Sequence, residues 1–291
     1  METSKFDKEA QFYKIHENQV MCTLCPHYCI IEENDYGLCH VRQNINHKLI
    51  THNYGLISAV SIDPMSKKPL ISFMQDTQVL SIGSVGCNLS CKFCQNSDIS
   101  KEFRSDLSYK HLTPREIVDL TLEHDLKSIA YTYNEPTVFY EMVYDTAVIA
   151  HEKGLKNVVV TNGFINRKPF EKIMPYIDAM NIDVKTYSPD LYRDICGGRL
   201  NPVLDTIALA LENNIHVELT CLIVPSLFQD LTKTEQLFKE LRVIAGDVVI
   251  HISRYFPRYL HDEPATDIDY MIKIQMIALK YFSLVKLGNV S

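Results

Sequence analysis

From about residue 78 onward, short apolar runs alternate with stretches that read as helices. The runs are "VLSIGSV", "SIAYTY", "NVVVT", "AMNIDVK", "HVELTCLIV" and "DVVIHI", with a weaker one at "LVKLG". Between them lie "TPREIVDLTLEHDL", "PTVFYEMVYDTAVIAHEKG", "KPFEKIMPY", "NPVLDTIALALENN" and "TKTEQLFKELRVIAG". Thr113, Pro114 and Glu116 supply an N-cap, an N1 proline and an N3 glutamate, and Gly154 stands just past a helical stretch. This alternation leaves few folds open. Strands separated by helices pair in parallel and are covered by those helices. Roughly six such repeats predict an α/β chain built on a full or partial barrel. In a barrel or an open sheet alike, chemistry gathers at the carboxyl ends of the strands.

Those ends carry chemically capable groups. The first run leads into "GCNLSCKFC", the second into Asn134-Glu135-Pro136, and the third into Thr161-Asn162-Gly163. Asp183 and Lys185 follow next, then Pro225, then Ser253 and Arg254. Asp183 and Lys185, two apart on a strand, point to one face and can address one ligand; a surface ion pair is the alternative. Glu135 before a proline equally suits a turn and helix cap. His251 reads as a ligand contact or as a satisfied structural histidine.

The chain has nine cysteines. In a reducing compartment, cysteines grouped this way indicate metal or catalysis rather than disulfides. Cys87, Cys91 and Cys94 form C-x3-C-x2-C. A protein-closed zinc site takes four ligands, and a 4Fe–4S cube has four corners, each normally bound by a thiolate. Three thiolates on one loop hold three corners and leave the fourth iron open for a substrate or cofactor. Cys22, Cys25, Cys29 and Cys39 form a second group, C-x2-C-x3-C-x9-C, with His27 and His40 among them. Four thiolates close a zinc site or hold a second cluster, and the spacing does not separate the two. Cys196 and Cys221 read as small buried hydrophobes.

The organisation expected is a Cys-rich metal-binding segment over residues 1–47, an extended connecting segment over 48–77, and the barrel over 78–291. Net charge is −7 and no basic block occurs, so the footprint of a nucleic-acid binder is missing. No apolar run reaches the roughly 18 residues of a membrane span. The charged N-terminus "METSKFDKEAQFYK" lacks a signal-peptide core. The expected location is cytoplasmic.

C-x3-C-x2-C after the first barrel strand resembles the signature of the radical S-adenosylmethionine (SAM) enzymes. The closer resemblance is to the radical SAM component of the AmmeMemoRadiSam system, a group related to the pyruvate formate-lyase activating enzymes. It rests on "CTLCPHYC", "GLCHVRQN", "KKPL", "GCNLSCKFCQN", "IAYTYNEPTVFYE", "VVVTNGF", "DAMNIDVK", "NPVLDT" and "HISRYFPRY", in one order along nearly the whole chain. Where relatives carry a Pro-Gly-x-Asn-Asp turn, this chain has "PSLFQD".

The resemblance implies a partial (β/α)6 TIM-type radical SAM barrel with a 4Fe–4S cluster on Cys87, Cys91 and Cys94. It implies SAM as cofactor, cleaved by one electron to a 5′-deoxyadenosyl radical that abstracts hydrogen from a substrate. Asn134, Glu135, Asn162, Asp183 and Lys185 are the implied SAM contacts, with no catalytic residue assigned beyond the cluster. Implied partners are an electron donor such as flavodoxin or ferredoxin, and AMMECR-like and Memo-like proteins. Two other readings stand beside this one: a glycyl-radical enzyme activase acting on a partner protein, and an iron–sulfur electron carrier or scaffold. A carrier would normally give each cluster four cysteines.

Overall fold

The computed structural model describes residues 6–101 and 109–290. Its centre is an eight-stranded sheet. Strand β1 (Ala59–Pro64) pairs antiparallel with β2 (Gln78–Gly83). Parallel to β2 follow β3 (Ser128–Tyr131), β4 (Lys156–Thr161), β5 (Ala179–Asp183), β6 (His216–Ile223), β7 (Val249–Arg254) and β8 (Val285–Gly288). The sheet ends on β1 at one edge and β8 at the other, so it is open. All four residues of β3 are buried, as expected of a parallel strand covered on both faces.

Helices α1 (Pro114–Glu123), α2 (Tyr140–Glu152), α3 (Arg167–Ile173), α4 (Pro189–Cys196), α5 (Leu200–Glu212), α6 (Leu231–Ala245) and α7 (Ile268–Ala278) occupy the connections. The Thr113 and Glu116 side chains form the reciprocal capping box that opens α1. The weak run at "LVKLG" is a true strand, β8, so the parallel set exceeds the six repeats the pattern suggested.

The first residues fold as two small antiparallel sheets. One contains Lys8–Glu9, Arg42–Ile45 and Lys48–Thr51; the other contains Tyr13–His16, Gln19–Cys22 and Ile30–Ile31. Asn46 and His47, both at positive φ (52° and 60°), make the two-residue turn of the hairpin joining Arg42–Ile45 to Lys48–Thr51. A boundary between residues 47 and 48 therefore divides one hairpin. Residues 59–64, placed by the sequence in a connecting segment, are the antiparallel edge of the main sheet. Antiparallel edge pairing depends on a tertiary neighbour, and periodicity alone does not reveal it.

One buried ion pair fastens these sheets to the core. Arg42 donates through Nη2 to both carboxylate oxygens of Glu141 on α2, each at 2.7 Å, with both side chains 1% exposed. Glu141 also accepts the Gln11 backbone N–H at 2.7 Å.

The segment after β1 closes the amino-terminal end of the sheet. Glu218 on β6 accepts the backbone N–H groups of Ile71 and Ser72, and Asn181 on β5 donates to the Pro69 carbonyl at 2.8 Å. Leu70 and Met65 are buried there beside Val79, Ala130, Val158 and Ala179. The "KKPL" sequence is thus part of a plug: Lys68 is buried and paired with Asp63 at 2.8 Å.

Candidate active site

At the opposite, carboxyl end of the strands the chain encloses a cavity of about 280 Å³. Cys87, Cys91 and Cys94 border it together with Thr132, Tyr133, Asn134, Glu135, Thr161, Asn162, Asp183, Lys185, Thr220 and Ser253. The three cysteines and Asn134, Glu135, Asn162, Asp183 and Lys185 are therefore brought to one space, whereas Pro225 and Arg254 do not line it. A larger surface groove of about 610 Å³ runs past Pro26, Tyr28, α3 and α5, but no cysteine lines it. The three-cysteine loop opens on the smaller cavity.

The loop is held by backbone geometry before any side chain acts. Gly86 has φ +92°, and a Cβ there would lie 2.7 Å from Val41 Cγ1 and 3.0 Å from the Cys39 carbonyl oxygen. A side chain is excluded on both counts. Downstream, the Ser90 N–H donates to the Cys196 carbonyl at 2.8 Å and the Lys92 N–H to the Ile195 carbonyl at 3.1 Å. Gly197, at φ +70°, packs so closely on Ser90 that a Cβ would come within 2.3 Å of Ser90 Oγ. The loop thus rests on the end of α4.

Its thiols are shielded. Burial pushes the Cys87 thiol well above its ordinary value. Cys91 is raised by a sulfur contact with the buried Cys196 and by burial. In the folded chain without a metal Cys87 and Cys91 hold their protons, and a bound metal must displace them. The Leu89 N–H donates to Cys87 Sγ at 3.4 Å, and Cys94 Sγ lies 3.4 Å from Ser100 Oγ. Cys196, read from sequence as a core residue, is that, but it is also a neighbour of Cys91.

The other candidates divide by what their polar atoms already do. Asn134 Oδ1 accepts the Ser84 N–H at 2.9 Å, and its Nδ2 donates to the Val85 and Gly86 carbonyls. Its amide sets the approach to the cysteine loop. Glu135 is 3% exposed. Its carboxylate accepts from Thr161 Oγ1 at 2.7 Å, the Asn162 N–H at 2.8 Å and the Thr137 N–H at 2.9 Å. Burial raises its pKa against those donors. The cap alternative is what the geometry shows, since Glu135 caps the short helix Pro136–Phe139. Asn162 Nδ2 donates to Asn88 Oδ1 at 2.9 Å and lies 3.8 Å from Cys87 Sγ.

Asp183 and Lys185 keep more freedom. They pair at 2.7 Å on the cavity wall, with side-chain exposures of 30% and 16%. Burial opposes the Lys185 charge, but Asp183 overcomes it and holds the ammonium pKa well above its usual value. Lys185 is therefore a cation at neutral pH.

Tyr133 ends the apolar run "SIAYTY" but lies beyond the strand, which stops at Tyr131. It borders the cavity instead, at φ 70°, with its hydroxyl donating to Asp63 at 2.7 Å. The signal was its place next to Asn134, in a turn rather than a strand. His251 is structural: it is buried, with Nε2 2.6 Å from Glu218. The "SRYFPRY" stretch contributes only Ser253 to the cavity wall. Arg254 donates to the Thr266 carbonyl and Tyr255 to the His261 carbonyl, so both are turned into their own loop.

The second cysteine group also assembles. Cys22, Cys25, Cys29 and Cys39 line one small cavity with His27, Arg42 and Asn88. Among the described residues no three His, Cys, Asp or Glu side chains converge as ligands of a single metal ion, in this group or in the loop of three. No helix of the described residues is long and apolar enough to cross a membrane.

Comparison with known proteins adds the following. Residues 81–241 match the Radical SAM superfamily. An uncharacterized protein of Methanocaldococcus jannaschii is 42% identical over 287 residues, covering 97% of this chain and 85% of its own length. A putative glycyl-radical enzyme activating enzyme of the same organism is 28% identical over 226 residues, covering 74% of this chain and 82% of its own. In shape, the chain is similar to Streptococcus suis SuiB, solved bound to S-adenosylmethionine, with a TM-score of 0.55 and 15% identity over 72% of this chain and 51% of that one.

Proposed function

We propose that this chain, which belongs to the radical SAM superfamily, holds a 4Fe–4S cluster on Cys87, Cys91 and Cys94 with SAM beside it and abstracts hydrogen from a substrate. The observation that carries the proposal is the shared cavity. Three thiols open on it and no fourth thiol joins its wall, while Asn162, Asp183 and Lys185 face the same space. That donor set suits a cube with one free corner and a ligand carrying both a carboxylate and hydroxyls. When bound, the two groups together supply one-electron cleavage of a carbon–sulfur bond, and with it a hydrogen-abstracting carbon radical.

The protein's own residues do the positioning. Lys185 offers an ammonium to a carboxylate, and Asp183 offers an acceptor to ribose hydroxyls. Asn162 ties the third parallel strand end to the cysteine loop through Asn88, so the cluster loop and the SAM wall are fixed relative to one another. With the Glu135 carboxylate engaged by the protein, the Asn134–Glu135 segment contributes its backbone. The open sheet is read as a partial (β/α)6 barrel whose mouth excludes water from a radical. The four N-terminal thiols are assigned to a second metal centre, zinc or iron–sulfur.

A second reading is favoured by one finding, the relative named as a putative glycyl-radical activating enzyme. There the hydrogen would come from a glycine of a partner protein. Either reading needs a low-potential donor of the flavodoxin or ferredoxin class; AMMECR-like and Memo-like partners rest on the resemblance of the sequence. Reconstituted enzyme with dithionite and SAM is expected to form 5′-deoxyadenosine, and Cys94→Ala is expected to form none. Equal formation by the variant would refute the assignment. Deuterium entering 5′-deoxyadenosine from a labelled small metabolite supports the first reading, and transfer only from protein glycine the second.

A further inference from the structure

The plug and the cysteine loop lie at opposite ends of the sheet, but two chains of hydrogen bonds join them. Lys68 Nζ donates to Asp63 Oδ2 at 2.8 Å, and the Tyr133 hydroxyl donates to the same oxygen at 2.7 Å. At the next plug residue, the Pro69 carbonyl accepts from Asn181 Nδ2 at 2.8 Å, and Asn181 Oδ1 accepts from Thr220 Oγ1 at 2.8 Å. Both chains end on residues that border the active-site cavity, Tyr133 and Thr220. The "KKPL" segment therefore reaches that cavity from the amino-terminal side at two points. Lys68 and Asn181 are buried, where a polar group is stable only when it is paired.

The first chain also fixes a backbone. Tyr133 has φ 70°, a conformation costly for a bulky aromatic residue and kept only where the surroundings impose it. Three contacts impose it. The hydroxyl is tied to Asp63, the Lys68 ammonium stands 4.6 Å from the ring centroid, and the side chain packs on Gly83. A Cβ at Gly83 would come within 3.0 Å of Tyr133 Cβ and Cδ2, and within 2.7 Å of the Thr132 carbonyl oxygen. Only glycine leaves room for this turn.

The turn grips the cysteine loop at both ends. The Tyr133 carbonyl accepts from Asn96 Nδ2 at 2.9 Å, two residues past Cys94. Asn96 stands at the N-cap of the short helix Ser97–Ser100 but its side chain makes no capping bond there, so its amide serves the turn instead. On the other flank, Asn134 accepts the Ser84 N–H and donates to the Val85 and Gly86 carbonyls, just before Cys87. A backbone that swung away at Tyr133 would release both flanks together.

We propose that Lys68, Asp63 and Tyr133 form a brace through which the plug sets the position of the three-cysteine loop, with Tyr133 as the positioning residue. The consequence for a cluster and SAM rests on the radical SAM reading; the link between plug and loop does not.

Hydrogen–deuterium exchange of the full chain as purified, at matched iron content and read over residues 84–96, tests the link directly. Tyr133→Phe removes one hydroxyl and Lys68→Met one charge. Each is expected to speed exchange in that segment about 2- to 30-fold. The double variant should add little to the larger single effect, because both act through one path. Ile274→Val, a methyl deletion in the core under α7, weakens the fold elsewhere and should leave the segment at the wild-type rate. Wild-type exchange in Tyr133→Phe overturns the proposal, as does equal loosening of residues 84–96 by Ile274→Val. Should Lys68→Met fail to fold, Tyr133→Phe against Ile274→Val decides alone. In reconstituted protein, Tyr133→Phe is expected to broaden the SAM-shifted electron paramagnetic resonance component at unchanged iron and sulfide content. Loosened exchange in Tyr133→Phe, with a wild type that shows no SAM response, would support the brace and refute the radical SAM reading.

Discussion

The Lys185 ammonium lies 2.7 Å from an Asp183 carboxylate oxygen, on the wall of the cavity that the three cysteines enter. Opposite charges so placed hold each other ready for a zwitterionic ligand. Lys185→Ala and Asp183→Ala are each expected to weaken SAM binding about 10- to 100-fold, since each removes a charge-assisted contact of about 1.5–3 kcal/mol. Isothermal titration with anaerobic enzyme measures this. Unchanged affinity in both variants would leave the pair a mere ion pair.

Glu141→Ala is expected to destabilise the fold by about 3–5 kcal/mol, because it strands the buried Arg42 charge rather than merely deleting a contact. Replacing both residues with apolar ones of similar size should recover most of that loss. Urea unfolding of the three proteins gives the values. A loss below about 1 kcal/mol for Glu141→Ala would show that water or another group takes over the guanidinium.

Glu218 gives a pH prediction. Burial would raise its pKa, but hydrogen bonds from His216, His251 and the Ser72 and Ile71 backbone hold it down at about 2. A folded-state pKa below the unfolded value of about 4.3 means stability present above that value and lost as pH falls towards 2. The stability gap between wild type and Glu218→Gln should therefore be widest above pH 5 and narrow steadily below it. A gap independent of pH between 5 and 2 would contradict this account of the plug.

Much of the site was legible in the sequence because strand-end chemistry follows from alternation. Once β2 to β5 are read as parallel strands, Cys87, Asn134, Asn162 and Asp183 must come to one end. The illegible parts depend on distant partners. That Glu135 spends its carboxylate on Thr161, Asn162 and Thr137 is invisible until β3 and β4 are side by side. The edge strand β1 and the plug at Leu70 to Ser72 were hidden for the same reason, their partners lying on β2 and on Glu218. His251 could be assigned to structure only once Glu218 was seen beside it.

The central claim is that the loop of three thiols leaves one iron open to SAM. Electron paramagnetic resonance of the reduced, reconstituted protein, recorded with and without SAM, tests it most directly. The account predicts a 4Fe–4S signal of which one component shifts on adding SAM, and loss of that component in C87A/C91A/C94A. A wild-type spectrum indifferent to SAM, or a SAM response that survives in the variant, would contradict it.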